Sequence, residues 1–165
     1  MGIETHGPNG GPVPVEGTPV FRVPETGLLT IPGASATTYA DKDAVGVRFE
    51  IMVPRSGIVH TAIATDHAVS DIAIDLVCFT GQIAQATDDS AFAPTDVELN
   101  TYAMTIPYST GDKALFSANS AATAKSLGIL YVAPTERLWV QCVARGALVL
   151  AAATDLAVAI LILPV

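Results

Sequence analysis

The sequence predicts an all-β fold, an antiparallel sandwich or barrel preceded by an extended amino-terminal arm. Three observations carry this. From about residue 44, short apolar stretches recur at regular spacing, each bounded by Gly, Pro, Ser, Asp or Asn. Helical periodicity is nearly absent. Residues 1 to 40 hold six of the eleven prolines and seven of the thirteen glycines, a density that excludes helix there.

Within that arm, Val20, Phe21, Val23, Leu28, Leu29 and Ile31 interrupt the Pro/Gly background with large apolar side chains. A solvated tail is usually poorer in such residues, so the arm is expected to dock, and these six are the candidate partner-binding residues. The boundary at residue 40 separates it from a single sandwich domain over residues 41–165. A chain of 165 residues is long enough for one core and short for two.

The strands follow in order. VRFEIMV (47–53) alternates, with Val47, Phe49, Ile51 and Val53 on one face and Arg48 and Glu50 on the other. IVHTAIAT, IAIDLVCFT, TYAMTI, LGILYVA, RLWVQCVA and LAVAILIL complete the set. Several are apolar on both faces: Ala73, Val77 and Phe79, with Asp75, stand opposite Ile72, Ile74, Leu76 and Cys78. A two-sheet sandwich has one inner layer, so the outer faces call for a cover, expected to be the arm or a second copy of the chain. Two short helical segments are expected, over PTDVEL and as a turn in ANSAATAKS.

Only 15% of the residues are charged, against about a quarter in ordinary domains, and the net charge is −8. The eight basic residues are scattered singly, which argues against direct nucleic-acid binding, since phosphate contact needs clustered Lys and Arg. The start MGIETHGPNG has neither the basic nor the apolar region of a signal peptide. GALVLAAATDLAVAILILP approaches a membrane span in length, yet Thr154 and Asp155 sit at its centre, so it reads as two strands around a turn. Cys78 and Cys142 lie inside apolar runs and read as reduced core residues, with a single bridge left open.

No stretch presents a reaction centre. TDDSAFAPTDVEL (87–99) gathers four carboxylates, but Thr95 and Glu98 have capping-box spacing and Asp88 and Asp89 are turn residues. It lacks the alternate oxygen spacing and glycine of a calcium loop, although a cation at the Asp88/Asp89 turn stays open. His6, His60 and His67 share no metal-ligand spacing. Trp139 reads as core, and Arg145 as a turn residue free to pair an acid across an interface or to do nothing special. The chain is therefore read as a non-enzyme with no cofactor and no metal.

The string from TDDSAFAPTDVEL (87–99) through GILYVAP and LWVQCVARGA (128–147) to AAATDLAVAILIL (151–163) resembles small head decoration, or auxiliary capsid, proteins of tailed bacteriophages. The resemblance implies a jelly-roll-like sandwich, trimers, and a place on the outer surface of the virion. There the protein would bridge major capsid subunits and cement the shell. A head-fibre or carbohydrate- and receptor-binding module on the same fold is the alternative.

Overall fold

The computed structural model describes residues 21–23, 28–67, 73–108, 113–116, 119–124 and 127–165. The chain forms β1 (Phe21–Val23), β2 (Leu29–Thr30), β3 (Thr38–Tyr39), β4 (Ala44–Met52), β5 (Ser56–Asp66), β6 (Ile74–Phe79), α1 (Asp96–Leu99), β7 (Tyr102–Tyr108), β8 (Lys113–Phe116), β9 (Asn119–Ala124), β10 (Ile129–Val132), β11 (Arg137–Ala144), β12 (Leu148–Val149) and β13 (Leu156–Pro164). The fold is an all-β sandwich, and every pairing among the described strands is antiparallel.

One sheet runs β1-β13-β5-β9-β8, with β2 also on β13 and β10 also on β5. The other runs β4-β11-β6-β7, and β3 pairs β12 separately. Length explains the branching. At eleven residues β5 is long enough for two partners along one edge, β10 against Ser56–Val59 and β9 against Ala62–Asp66. In the same way β13 carries β2 opposite Ala157 and Val158 and β1 opposite Ile160 to Ile162.

The inner layer is built by alternation. Leu138, Val140 and Cys142 of β11 face the core with Ile74, Leu76 and Cys78 of β6 and Met104 and Ile106 of β7. From the other sheet come Val59, Ala62 and Ala64 of β5 and Leu156, Val158, Ile160 and Ile162 of β13. Val59 and Ala62 both point inward although three positions apart, because the β5 register shifts at His60 and resets the alternation.

A second irregularity lies in β4. Between Phe49 and Val45 the register against β11 skips, and Gly46 takes φ +68°. The carbonyls of Val45 and Gly46 are thereby displaced from a regular ladder. The buried Gln141 amide donates to both, at 3.4 Å each, so a strand with an apolar pattern carries one buried polar residue for a structural reason.

The structure corrects four expectations. ANSAATAKS is not helical at 119–124: Ala122 and its neighbours pair with β5, and sheet hydrogen bonding overrides the helix propensity of alanine. At Phe79 the outer face of β6 is covered from within the folded domain rather than by the arm. The chain's own segment 80–101 lies over it, with Phe92 and Tyr102 edge-on to the fully buried Phe79 at centroid distances of 6.3 and 6.0 Å. Arg145 pairs Asp75 within the chain, its Nε 2.5 Å from Oδ2. Trp139 stands on the outer face, half-buried, with the Arg48 guanidinium 5.0 Å over its ring.

Candidate interaction surface

The six residues singled out in the arm fall in different places. Val20 lies outside the described residues. Phe21 and Val23 belong to β1, in register with Ile162 and Ile160 on the edge of β13. Leu28 is half-buried. Leu29 pairs with Val158 and packs against the core, and Ile31 is inside it, only 1% exposed, with its N–H donated to Leu156 O at 3.1 Å. Residues 28–40 are thus woven into the sandwich: Tyr39 is fully buried and Leu148 pairs opposite it.

Two of the four carboxylates of residues 87–99, Asp88 and Glu98, have local structural work. Thr95 caps α1, with its Oγ1 accepting from the Glu98 N–H at 3.3 Å, while Glu98 Oε2 accepts from the Thr95 N–H at 2.7 Å. Glu98 Oε1 also accepts from the Ala84 N–H. These donors hold the Glu98 carboxyl below the ordinary carboxylate value, the Ala84 N–H contributing most. Asp88 Oδ1 accepts from the Gly46 N–H at 2.6 Å and the Tyr39 hydroxyl at 2.9 Å. It ties the 80–101 segment to the β4 irregularity, which accounts for an aspartate at that turn. Among the described residues no group of three or more His, Cys, Asp or Glu side chains is arranged to hold a metal.

A shallow cavity of about 130 Å³ opens beside α1, lined by Ala84, Gln85, Ala91, Phe92, Pro94 and Glu98. Small-molecule sites usually enclose roughly 300 Å³ or more, so this hollow does not by itself amount to one. His60 and His67 are exposed and separate in function: His60 Nδ1 bonds Thr61 Oγ1, and the His67 N–H bonds Asp155 O.

Besides Met52 and Val149, exposed large apolar side chains among the described residues gather in two places. The first is the α1 face, where Val97 is 76% exposed and Leu99 and Tyr102 about half. Both the capping box and the Phe79, Phe92 and Tyr102 cluster hold this face in position. The second is at one end of the large sheet, where Leu130 and Val132 of β10 and the terminal Val165 are 62–68% exposed. Sequence reasoning missed both faces, because it looked for partner contacts among the arm's large side chains. For α1 a signal was present, since a capped four-residue helix spends none of its apolar residues on a core.

No family model, no curated protein and no solved structure matches this chain.

Proposed function

We propose that this chain is a structural virion protein that binds the outer surface of a tailed-phage capsid and stabilises the shell by bridging major capsid subunits. The observation that carries the reading is the α1 face: Val97, Leu99 and Tyr102 stand exposed on a rigidly braced segment, on a chain whose charged fraction is little more than half the usual one. Apolar groups held in fixed positions lose little entropy on contact, which suits a surface that must fit a repeating lattice. The resemblance of residues 87–163 to head decoration proteins points the same way. A trimer would multiply each contact, raising effective affinity by about a hundredfold or more when all three engage.

The alternative, a carbohydrate- or receptor-binding module, draws on Phe92 in the lining of the small cavity and on the exposed Tyr102, which packs on the same Phe79 ring, since aromatic rings stack on sugar faces.

Co-sedimentation with capsid shells stripped of their outer proteins tests the proposal. Wild-type protein is expected to pellet with shells in a saturable way. Val97→Asp with Leu99→Asp is expected to weaken binding by about thirtyfold, as for two interface residues worth about 1 kcal/mol each. Failure of the wild type to bind, or undiminished binding by the folded double variant, overturns it. Glycan binding that depends on Tyr102, without shell binding, establishes the alternative.

A further inference from the structure

The hollow beside α1 is small for a free ligand, and both its size and its chemistry suit a single side chain instead. A cavity of about 150 Å³ holds a benzene-sized group of six heavy atoms. At about 130 Å³ this one is on the scale of a lysine side chain, which has five. Ala84, Ala86, Ala91, Ala93, Pro94 and Phe92 supply apolar walls, and Glu98 is the charged group among them. Lysine has the same division, a stem of methylenes that gains from leaving water and an ammonium that needs a counter-charge.

Glu98 is prepared to supply that charge. Its carboxyl lies below the ordinary carboxylate value because the Ala84 N–H, and after it Thr95, donate to it, so it is ionised at neutral pH. The same donors fix its position: Oε1 accepts from the Ala84 N–H, and Oε2 from the Thr95 N–H at 2.7 Å and the Thr95 hydroxyl at 2.8 Å. A carboxylate offers about four lone pairs, so one is left over, on Oε1. That remainder decides between the two long cations. Arginine's planar fork seeks both oxygens at once, whereas an ammonium is satisfied by one.

The chain's own cations are placed elsewhere. Arg48 acts on Glu98 less than the hydrogen bonds do, and its guanidinium is engaged by Ile83 O and the Trp139 ring. Lys42 meets Phe92 through its backbone carbonyl, while its side chain is exposed and is not part of the cavity lining. From residue 56 to residue 112 the sequence has no Lys or Arg and eight of its sixteen acidic residues. Charge of this sign around the hollow attracts a cationic surface and disfavours the same face of a second copy. Exposed Val97, Leu99 and Tyr102 lie on the same stretch, so a protein that inserts a lysine has apolar surface to close around it.

We propose that this hollow is the seat of a lysine side chain from a partner protein, with the stem against the alanine and Phe92 walls and the ammonium donating to Glu98 Oε1. The assignment rests on the cavity and not on the shell-binding reading, and its test contains no shells, so either can fail while the other stands. The full-length protein is titrated with Nα-acetyl-lysine N-methylamide and followed by NMR at the Ala84 and Thr95 amides, which donate to the Glu98 carboxylate. Saturable shifts are expected, with a dissociation constant on the order of 10 mM for so small a ligand. Glu98→Gln keeps the capping-box pattern while removing the charge, and is expected to weaken binding at least about tenfold. The norleucine counterpart, similar in size and uncharged, is expected to show no saturable binding, and the arginine counterpart to bind more weakly than lysine. Absence of saturable shifts with the lysine probe, equal binding of the norleucine counterpart, or undiminished binding by the folded Glu98→Gln variant overturns the proposal. Tighter binding of the arginine counterpart overturns the choice of lysine. Shifts at Ala84 and Thr95 that grow as the protein alone is concentrated assign the seat to a second copy and overturn it equally.

Discussion

Asp88 is the residue on which two parts of the molecule meet. Its Oδ1 is shared by the Gly46 N–H and the Tyr39 hydroxyl, neither of which has ready access to water. Asp88→Ala is expected to cost about 2–3 kcal/mol in urea unfolding, because a truncated acceptor leaves partly buried donors unmet. Gly46 itself sits at φ +68°, and a Cβ there would lie 2.3 Å from Pro32 O. Gly46→Ala is accordingly expected to cost about 3 kcal/mol or more, combining left-handed strain with a backbone clash. Tyr131 offers the opposite sign. Its hydroxyl is buried without a hydrogen-bond partner among the described residues, and burial pushes its pKa from 10.0 to about 12. A raised folded-state value stabilises the protein below the unfolded pKa, and that contribution is lost as pH rises from about 10 through 12. Tyr131→Phe is expected to gain roughly 1 kcal/mol at neutral pH and to flatten the alkaline loss of stability followed by circular dichroism. Burial likewise raises both thiols, Cys78 to about 12, so neither cysteine is expected to react with a disulfide reagent at pH 8 until the protein unfolds.

At the scale of elements, the segment 80–101 is a covering layer, fastened to its neighbours by backbone bonds such as Ala44 N–H to Ser90 O at 2.8 Å and Phe92 N–H to Lys42 O at 2.9 Å. Phe92→Ala is expected to cost about 2–3 kcal/mol and to expose Phe79, seen as new binding of an apolar dye. The strands were legible from sequence because apolar alternation is set by the pleat, and the Thr95 cap because its chemistry is local. The layer was not legible as a layer. Its contacts join Phe92 to Phe79 and Asp88 to Gly46, separations that no periodicity encodes, and both irregularities appear only where two strands meet. Residues 28–40 were hidden by composition: a proline-rich stretch can still donate Ile31 and Tyr39 to a core. Deleting residues 1–40 would thus remove β1, β2 and β3 and disturb the fold, whereas a deletion confined to residues 1–20 leaves every described strand in place.

On the scale of the whole molecule, the excess of apolar strand resolves into two populations. Most of it is spent inside or beneath the chain's own layers, as with Phe79 and Ile31. Apart from Met52 and Val149, the exposed large side chains among the described residues stand at the α1 face and the β10 end, on opposite sheets of the sandwich. A symmetric shell rewards such a distribution, since a modest contact repeated over many equivalent sites becomes a strong one. The most direct measurement is the stoichiometry of wild-type protein on stripped capsid shells, determined by quantitative sedimentation across a range of protein concentrations. The account predicts saturation at a fixed number of copies per shell, set by the lattice. Binding that never saturates, or no binding at any concentration, would contradict it.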